Sequence, residues 1–184
     1  NIISFKPVLT KNQLKLAVWI HKYYHEPLGI VLKGIILTST KHTITPQKSQ
    51  APKQQSTKLM QTDLNISLPT LIKEVEKTLK NKKQILILAP DHHVLKKIKS
   101  TFEYFNNTVS LTGKTSKKKT EEIWQQTAIG KTNIIIGTRK ALFLPFCNLG
   151  LVILTQEHSS FYKSWARHPK YHAREVADKL SYFN

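Results

Sequence analysis

The sequence has a single cysteine, Cys147, among its 184 residues. One cysteine excludes an internal disulfide bond and a zinc site built from several cysteines, which fits a reducing compartment. Long apolar runs are also missing, since none approaches the roughly 20 residues of a membrane-spanning helix, and the N-terminus has no signal-peptide pattern. We therefore expect a cytoplasmic protein with no membrane partner.

Acidic residues are scarce. Eleven Asp and Glu stand against 29 Lys and Arg, a formal net charge of +18, which exceeds what solubility requires and predicts a polyanionic partner. Only Arg139, Arg167 and Arg174 are arginines. Lysine is a point charge suited to phosphates, whereas the arginine fork suits guanine edges, so the composition favours contact with a nucleic-acid backbone. Solvated surface lysines explain part of this excess, but not all of it.

The chain divides into three segments. Apolar positions over 14–24 have helical spacing, and Pro27 opens a second short apolar helix. Residues 39–58 are rich in Ser, Thr, Gln and Lys, which is typical of a flexible basic linker. We therefore predict a helical N-terminal segment over 1–38, a linker over 39–58 and a folded domain over 59–184.

Helical and strand patterns alternate within the folded domain. A helix is predicted over 69–80 with Pro69 in its first turn, a second is capped by Asp91, and a third begins near Ser116. Short apolar runs predict strands at 84–90, 108–111, 132–138 and 149–155. This alternation predicts an α/β fold, with a parallel sheet that helices cover on both faces.

Candidate functional residues stand at the ends of three predicted strands. Residues 89–91 stand at the end of the first, residues 137–139 at the end of the third, and residues 155–158 at the end of the fourth. Because the carboxyl ends of parallel strands form the functional edge of such sheets, we expect the function to reside there.

The tripeptide Gly113-Lys114-Thr115 looks like part of a phosphate-binding P-loop. The complete motif needs a glycine five residues before Gly113, where Thr108 stands, so a turn is the better interpretation. The surrounding lysines still form a candidate patch for a phosphate backbone: Lys114, Lys117, Lys118 and Lys119.

Two histidine pairs have the four-residue spacing of a helical metal site, His21 with His25 and His168 with His172. No acidic or cysteine partner completes either pair as a metal site, so we expect structural or surface histidines and no metal site.

Residues 134–177 contain a strand, a Gly-Thr-Arg turn, the sequence ALFLPFCNLGL, the tetrapeptide TQEH and the sequence KYHAR. This series resembles the PriA family of bacterial replication-restart helicases, also called primosomal protein N-prime. Residues 16–37 resemble the end of the DNA-binding domain that begins proteins of that family. The resemblance implies a RecA-like helicase lobe, of the P-loop NTPase type, after a small helical segment.

The sequence departs from this family where the family binds ATP. In the family's D-E-x-H box, Thr155 replaces the aspartate that holds magnesium and Gln156 replaces the glutamate that activates water, while Glu157 and His158 match. The P-loop is missing as well, because residues 59–69 contain no glycine and no lysine. The family uses ATP, magnesium and zinc, but we expect no cofactor in this chain and no ATP hydrolysis.

The resemblance also implies a DNA-facing set of residues. Thr138 and Arg139, with the adjacent Lys140, correspond to a motif that faces single-stranded DNA, and Pro90 lies in the loop of another such motif. Arg174 lies in the KYHAR match, where packing of its helix is an equal alternative to DNA contact.

These observations predict a PriA-like protein, or a fragment of one, in the bacterial cytoplasm near the nucleoid. We expect it to act in DNA replication restart by binding forked or single-stranded DNA through its basic surface. One alternative is an active ATP-dependent 3'–5' helicase whose remaining parts lie outside this sequence. Another is a scaffold without enzymatic activity that recruits other primosome and replication proteins.

Overall fold

The computed structural model describes residues 9–36, 58–62, 64–166 and 168–184. The predicted linker over 39–58 lies outside the described residues except for Lys58, and Arg167 lies outside them too.

The described residues form a five-stranded sheet in which every neighbouring pair is parallel. The spatial order is β1-β5-β2-β4-β3, so the apolar strand β2 is central and is buried along its whole length. The strands are β1 (Lys58–Thr62), β2 (Gln84–Leu88), β3 (Thr108–Leu111), β4 (Ile134–Gly137) and β5 (Leu149–Thr155). The predicted parallel sheet is confirmed, with β1 as an additional edge strand.

Helices cover both faces of the sheet, as predicted. They are α1 (Lys11–Tyr24), α2 (Leu28–Ile35), α3 (Leu64–Lys80), α4 (His92–Phe102), α5 (Lys117–Ala128) and α6 (Ala173–Phe183), with short 3₁₀ turns at Arg139–Phe143 and Ser160–Tyr162. Helices α3 and α4 share one apolar cluster with the sheet, while α1, α2, α5 and α6 share a second cluster on the opposite face.

The start of α3 differs from the prediction. The helix begins at Leu64, and Pro69 lies inside it rather than in its first turn. Proline removes one intrahelical hydrogen bond, but the burial of Leu71 and Val75 against the sheet compensates for this loss.

Capping residues fix the helices that follow β2 and β3. The Asp91 carboxylate accepts hydrogen bonds from the backbone N–H groups of His93 at 2.8 Å and Val94 at 2.9 Å, which confirms its predicted role as the cap of α4. Ser116 caps α5 in the same way, and Gly130 follows the end of that helix with a φ of 73°. The predicted starts of α4 and α5 are therefore confirmed.

Helices α1 and α2, here called the N-terminal hairpin, share their core with the sheet domain. Leu16, Ile20 and Val31 of the hairpin lie in the same buried cluster as Val176 and Leu180 of α6. The hairpin is thus a layer of the domain. Within the described residues, no helix is both long and apolar enough to cross a membrane.

Gly137 ends β4 where the chain leaves no room for a side chain. A Cβ atom there would lie 2.5 Å from the Ala141 Cβ and 2.9 Å from the Leu111 carbonyl oxygen. We expect Gly137→Ala to lower the free energy of unfolding by about 1–3 kcal/mol, because the added methyl group would force the neighbouring backbone to shift. Gly29→Ala is the control, since a Cβ at Gly29 has no neighbour within 4 Å. Urea unfolding of both variants measures the difference, and equal stability would contradict this account.

Candidate functional site

Thr155, at the end of β5, is fully buried and its hydroxyl is already engaged. It donates a hydrogen bond of 2.9 Å to the Leu88 carbonyl at the end of β2. The buried Tyr162 hydroxyl lies 3.0 Å from the same carbonyl and 2.7 Å from the Thr155 carbonyl. Burial raises the pKa of Tyr162, so it stays a neutral donor. The neutral Thr155 hydroxyl therefore has a structural role, because it joins the ends of β5 and β2 by a hydrogen bond.

The other three residues of the box form a turn after β5. Gln156 has a left-handed φ of 51°, and its carbonyl accepts a hydrogen bond of 2.9 Å from the Ser159 N–H group. Glu157 Oε2 makes no hydrogen bond to the described residues, but it lies 3.7 Å from the Arg174 guanidinium. His158 is exposed. The sequence did not predict the Glu157–Arg174 ion pair, which links the box to α6.

The turn after β4 places the predicted residues Thr138, Arg139 and Lys140 at the same edge of the sheet. Lys140 is exposed, while Thr138 and Arg139 are half-buried. The Arg139 guanidinium donates a hydrogen bond to the Lys163 carbonyl. Arg139 therefore anchors the loop over 160–172 at this edge of the sheet.

The loop over 160–172 carries aromatic and basic residues that the sequence prediction missed. Trp165 is 69% exposed, and the Lys163 ammonium lies 5.2 Å from its ring centroid. Both residues line a cavity of about 190 Å³ together with Lys170, Tyr171 and others. A tryptophan among polar residues, outside any helix or strand pattern, is the signal in the sequence that could have identified this surface.

The predicted lysine patch follows β3 at the same edge. Lys114, Lys117, Lys118 and Lys119 are all exposed, and Lys119 pairs with Glu122 at 2.9 Å. Pro90, in contrast, is buried, so DNA could contact it only if the surrounding chain moved. The parallel strands bring the box, the Thr138–Lys140 turn and the lysine patch to one edge, here called the carboxyl edge.

Charged groups join the N-terminal hairpin to the loop over 160–172. The buried Glu26 carboxylate accepts hydrogen bonds from His168 Nδ1 at 2.8 Å and the Lys170 N–H group at 3.0 Å. Burial opposes ionisation, but the bonds from Lys170 and His168 together outweigh it and lower the pKa of Glu26. Beside it, the Tyr24 hydroxyl contacts Glu175 and accepts a hydrogen bond from the His172 N–H group.

These contacts account for one of the two histidine pairs. His168 binds the Glu26 carboxylate, and His172 caps α6 by accepting a hydrogen bond of 3.2 Å from the Arg174 N–H group. The two side chains thus have separate partners. Among the residues that the structure describes, no three His, Cys, Asp or Glu side chains come together as metal ligands.

An exposed aromatic surface lies between α1 and α6. The rings of Trp19 and Tyr23 stack at 4.8 Å, and the Lys179 ammonium lies 5.9 Å from the Trp19 ring and 5.5 Å from that of Tyr182. Tyr23 is 55% exposed and Tyr182 is 79% exposed. Tyr23 therefore lies outside the core, and the helical spacing of the apolar positions over 14–24 did not separate it from the buried Leu16 and Ile20.

The parallel sheet, the helices on both faces and the polar carboxyl edge are consistent with a RecA-like α/β lobe, to which an N-terminal helical hairpin is packed. This is the class of fold that the sequence predicted.

The protein that this chain resembles is replication restart protein PriA. The chain is 40% identical to PriA of Synechocystis sp. over 98 residues, which cover 52% of this chain and 12% of the relative. Its similarity to PriA of Buchnera aphidicola (30% identity) covers 88% of the chain and 20% of the relative. The similarity to PriA of Rickettsia prowazekii (27% identity) covers 92% of the chain and 30% of the relative. No protein-family model matches. The resemblance noted in the sequence is confirmed, and the chain spans less than a third of the length of these relatives.

The Glu26 contacts predict a pH-dependent contribution to stability. The pKa of Glu26 in the folded protein is below its usual value of 4.5, so the ionised carboxylate stabilises the fold above that pH. This stabilisation is lost as the pH falls through the folded-state pKa. We expect Glu26→Gln to lower the free energy of unfolding by about 1–3 kcal/mol at neutral pH, and by less below about pH 4.

Urea unfolding across this pH range measures the effect. Glu76→Gln is the matched control, because Glu76 is exposed on α3. A loss of stability in Glu26→Gln that did not change with pH would contradict the assignment.

Proposed function

We propose that this chain is a PriA-like lobe that acts in DNA replication restart by binding forked or single-stranded DNA, without turning over ATP. The observation that carries the proposal is the buried Thr155 hydroxyl, which is bonded to the Leu88 carbonyl where the PriA family has a magnesium-binding aspartate. The basic groups of the same edge are present beside it.

The proposal that the chain does not turn over ATP rests on two features of the carboxyl edge. Strand β1 ends at Thr62 and α3 begins at Leu64, which leaves one residue where a P-loop needs a glycine-rich segment to surround phosphates. Thr155 and Gln156 are neutral and do not supply the carboxylate that magnesium requires. The residues present do not fit magnesium and a triphosphate, so we assign no hydrolytic step to them. The alternative of an active helicase is disfavoured because both features belong to this lobe.

The DNA-binding part of the proposal rests on positive charge that the stability of the fold does not require. The first turn of α5 contains Lys117, Lys118 and Lys119 and no acidic residue. Cations at a helix N-terminus oppose the helix dipole, so the stability of α5 does not explain these lysines. Phosphate contact does explain them.

Other residues of the edge supply the remaining contacts in this proposal. The Thr138 hydroxyl and the Arg139 guanidinium are groups that bind phosphates. The exposed ring of Trp165, with Lys163 beside it, offers a stacking surface for an unpaired base. Together these groups suit a single strand more than a closed duplex, whose bases are already stacked.

A role as a scaffold is a second candidate, and the aromatic surface of Trp19, Tyr23, Lys179 and Tyr182 favours it. Exposed tryptophan and tyrosine are the residues that most often anchor protein interfaces. This surface lies on α1 and α6, and its residues differ from those that we assign to DNA at the carboxyl edge. Recruitment of other primosome or replication proteins is therefore compatible with DNA binding.

The salt dependence of DNA binding tests the role of the lysine patch. We expect the affinity for an oligo-dT strand to fall steeply with salt because each bound lysine releases counterions. Replacing Lys117, Lys118 and Lys119 with alanine should lower the slope of log affinity against log salt by roughly 2. The control replaces Lys73, Lys77 and Lys80 on α3, an equal change of charge on the opposite face. Equal slopes for the two triple variants would contradict the assignment.

Titration with a fluorescent ATP analogue tests the proposal that the chain does not turn over ATP. We expect no saturable binding in the presence of magnesium, because the chain supplies neither a P-loop nor the magnesium-binding acid. Oligonucleotide binding by the same sample shows that the protein is folded. Saturable binding in the micromolar range would overturn this part of the proposal.

A further inference from the structure

The sheet has an uncovered region beside its edge strand β3. Helix α4 packs over the neighbouring strand β4, and β3 lies beyond it. Thr108 and Ser110 alternate along β3 with Val109 and Leu111, which contribute to the cluster on the α5 side. The Thr108 and Ser110 side chains therefore point to the face that carries α4, and both are half-buried.

A cavity of about 480 Å³, here called the β3 groove, occupies this position. Lys99 and Glu103 of α4 form one wall, and Thr115, Ser116 and Lys119 form the other. Thr108 and Ser110 lie on its floor. The volume falls within the range of small-molecule sites, roughly 300–1,000 Å³, and is large enough for a nucleotide unit of a longer strand.

Apart from the Glu103 carboxylate, the polar side chains that line the β3 groove are ammonium and hydroxyl groups, which suit an anion. Lys99 is exposed and forms no salt bridge with a carboxylate of the described residues, whereas Lys119 pairs with Glu122 at 2.9 Å. The Ser110 hydroxyl makes no hydrogen bond to the part of the chain that the structure describes, and it faces the groove. Hydroxyl and ammonium donors together are the groups that contact phosphate oxygens along a nucleic-acid backbone.

The position of the β3 groove points to a strand rather than to an isolated anion. Lys119 belongs both to the groove and to the lysine patch with Lys114, Lys117 and Lys118. A backbone bound at that patch could therefore continue past β3 to Lys99 without leaving a basic surface.

We propose that the β3 groove binds phosphate groups of a single-stranded nucleic acid and leads the strand from the lysine patch, around the edge of the sheet, to Lys99 on α4. This inference rests on the proposed function, because it extends the same DNA-binding surface. It adds Lys99 and Ser110 as contacts outside the lysine patch.

Lys99→Ala tests the groove directly. Loss of one phosphate contact should lower the slope of log affinity for oligo-dT against log salt by about 0.7 to 1, and should weaken binding equally for different base sequences. Lys33→Ala is the matched control, because Lys33 is exposed on α2 and the change of charge is the same. An unchanged slope in Lys99→Ala, equal to that of Lys33→Ala, would overturn the proposal.

Lysine acylation followed by mass spectrometry provides a second readout on the unaltered chain. Oligo-dT should protect Lys99 from acylation, while inorganic phosphate at the same phosphate concentration should not, and Lys33 should react in all samples. Equal protection by inorganic phosphate would show that the groove binds a single phosphate ion and not a strand, and it would overturn the proposal.

The two proposals can fail separately. If the unaltered chain does not bind oligo-dT, the proposed function fails and the groove fails with it. If the chain binds with a slope that depends on Lys117, Lys118 and Lys119 but not on Lys99, only the groove is overturned.

Discussion

The carbonyl of Leu88 is the point at which the carboxyl ends of β2 and β5 are tied together. Thr155 and Tyr162 both lie within hydrogen-bonding distance of it, in a region that excludes water. Buried hydrogen bonds of this kind hold neighbouring groups in a fixed geometry, since breaking one leaves a buried polar group unsatisfied. A carboxylate at Thr155 would bring a charge that needs a cation, whereas the hydroxyl keeps the shape of the edge without one.

The fixed edge in turn positions the groups that surround it. Tyr162 begins the chain segment that carries Trp165, and Arg139 anchors that segment through the Lys163 carbonyl. From the other side, Glu26 holds the same segment through Lys170. The N-terminal hairpin, the loop over 160–172 and the carboxyl edge are therefore connected by specific polar contacts, and any DNA bound at the edge lies beside the hairpin.

Patterns within single elements were predictable from the sequence, and contacts between elements were not. The buried strands, the Asp91 cap and the parallel sheet follow from local periodicity and capping chemistry. Strand β1 was missed because it lies at the edge and its residues Lys58, Gln61 and Thr62 are polar. The Glu157–Arg174 pair and the burial of Pro90 depend on how distant segments pack, which a single sequence does not reveal. For the candidate site, the sequence identified the carboxyl edge but not the loop residues beside it.

We propose that the lobe binds DNA and that ATP does not change its affinity for DNA. The most direct test is the affinity of the chain for an oligo-dT strand, measured by calorimetry with and without ATP and magnesium at constant ionic strength. A ligand changes the affinity for a second ligand only if it interacts differently with the bound and free states. We expect the same affinity in both conditions. A several-fold change on adding ATP and magnesium would contradict it.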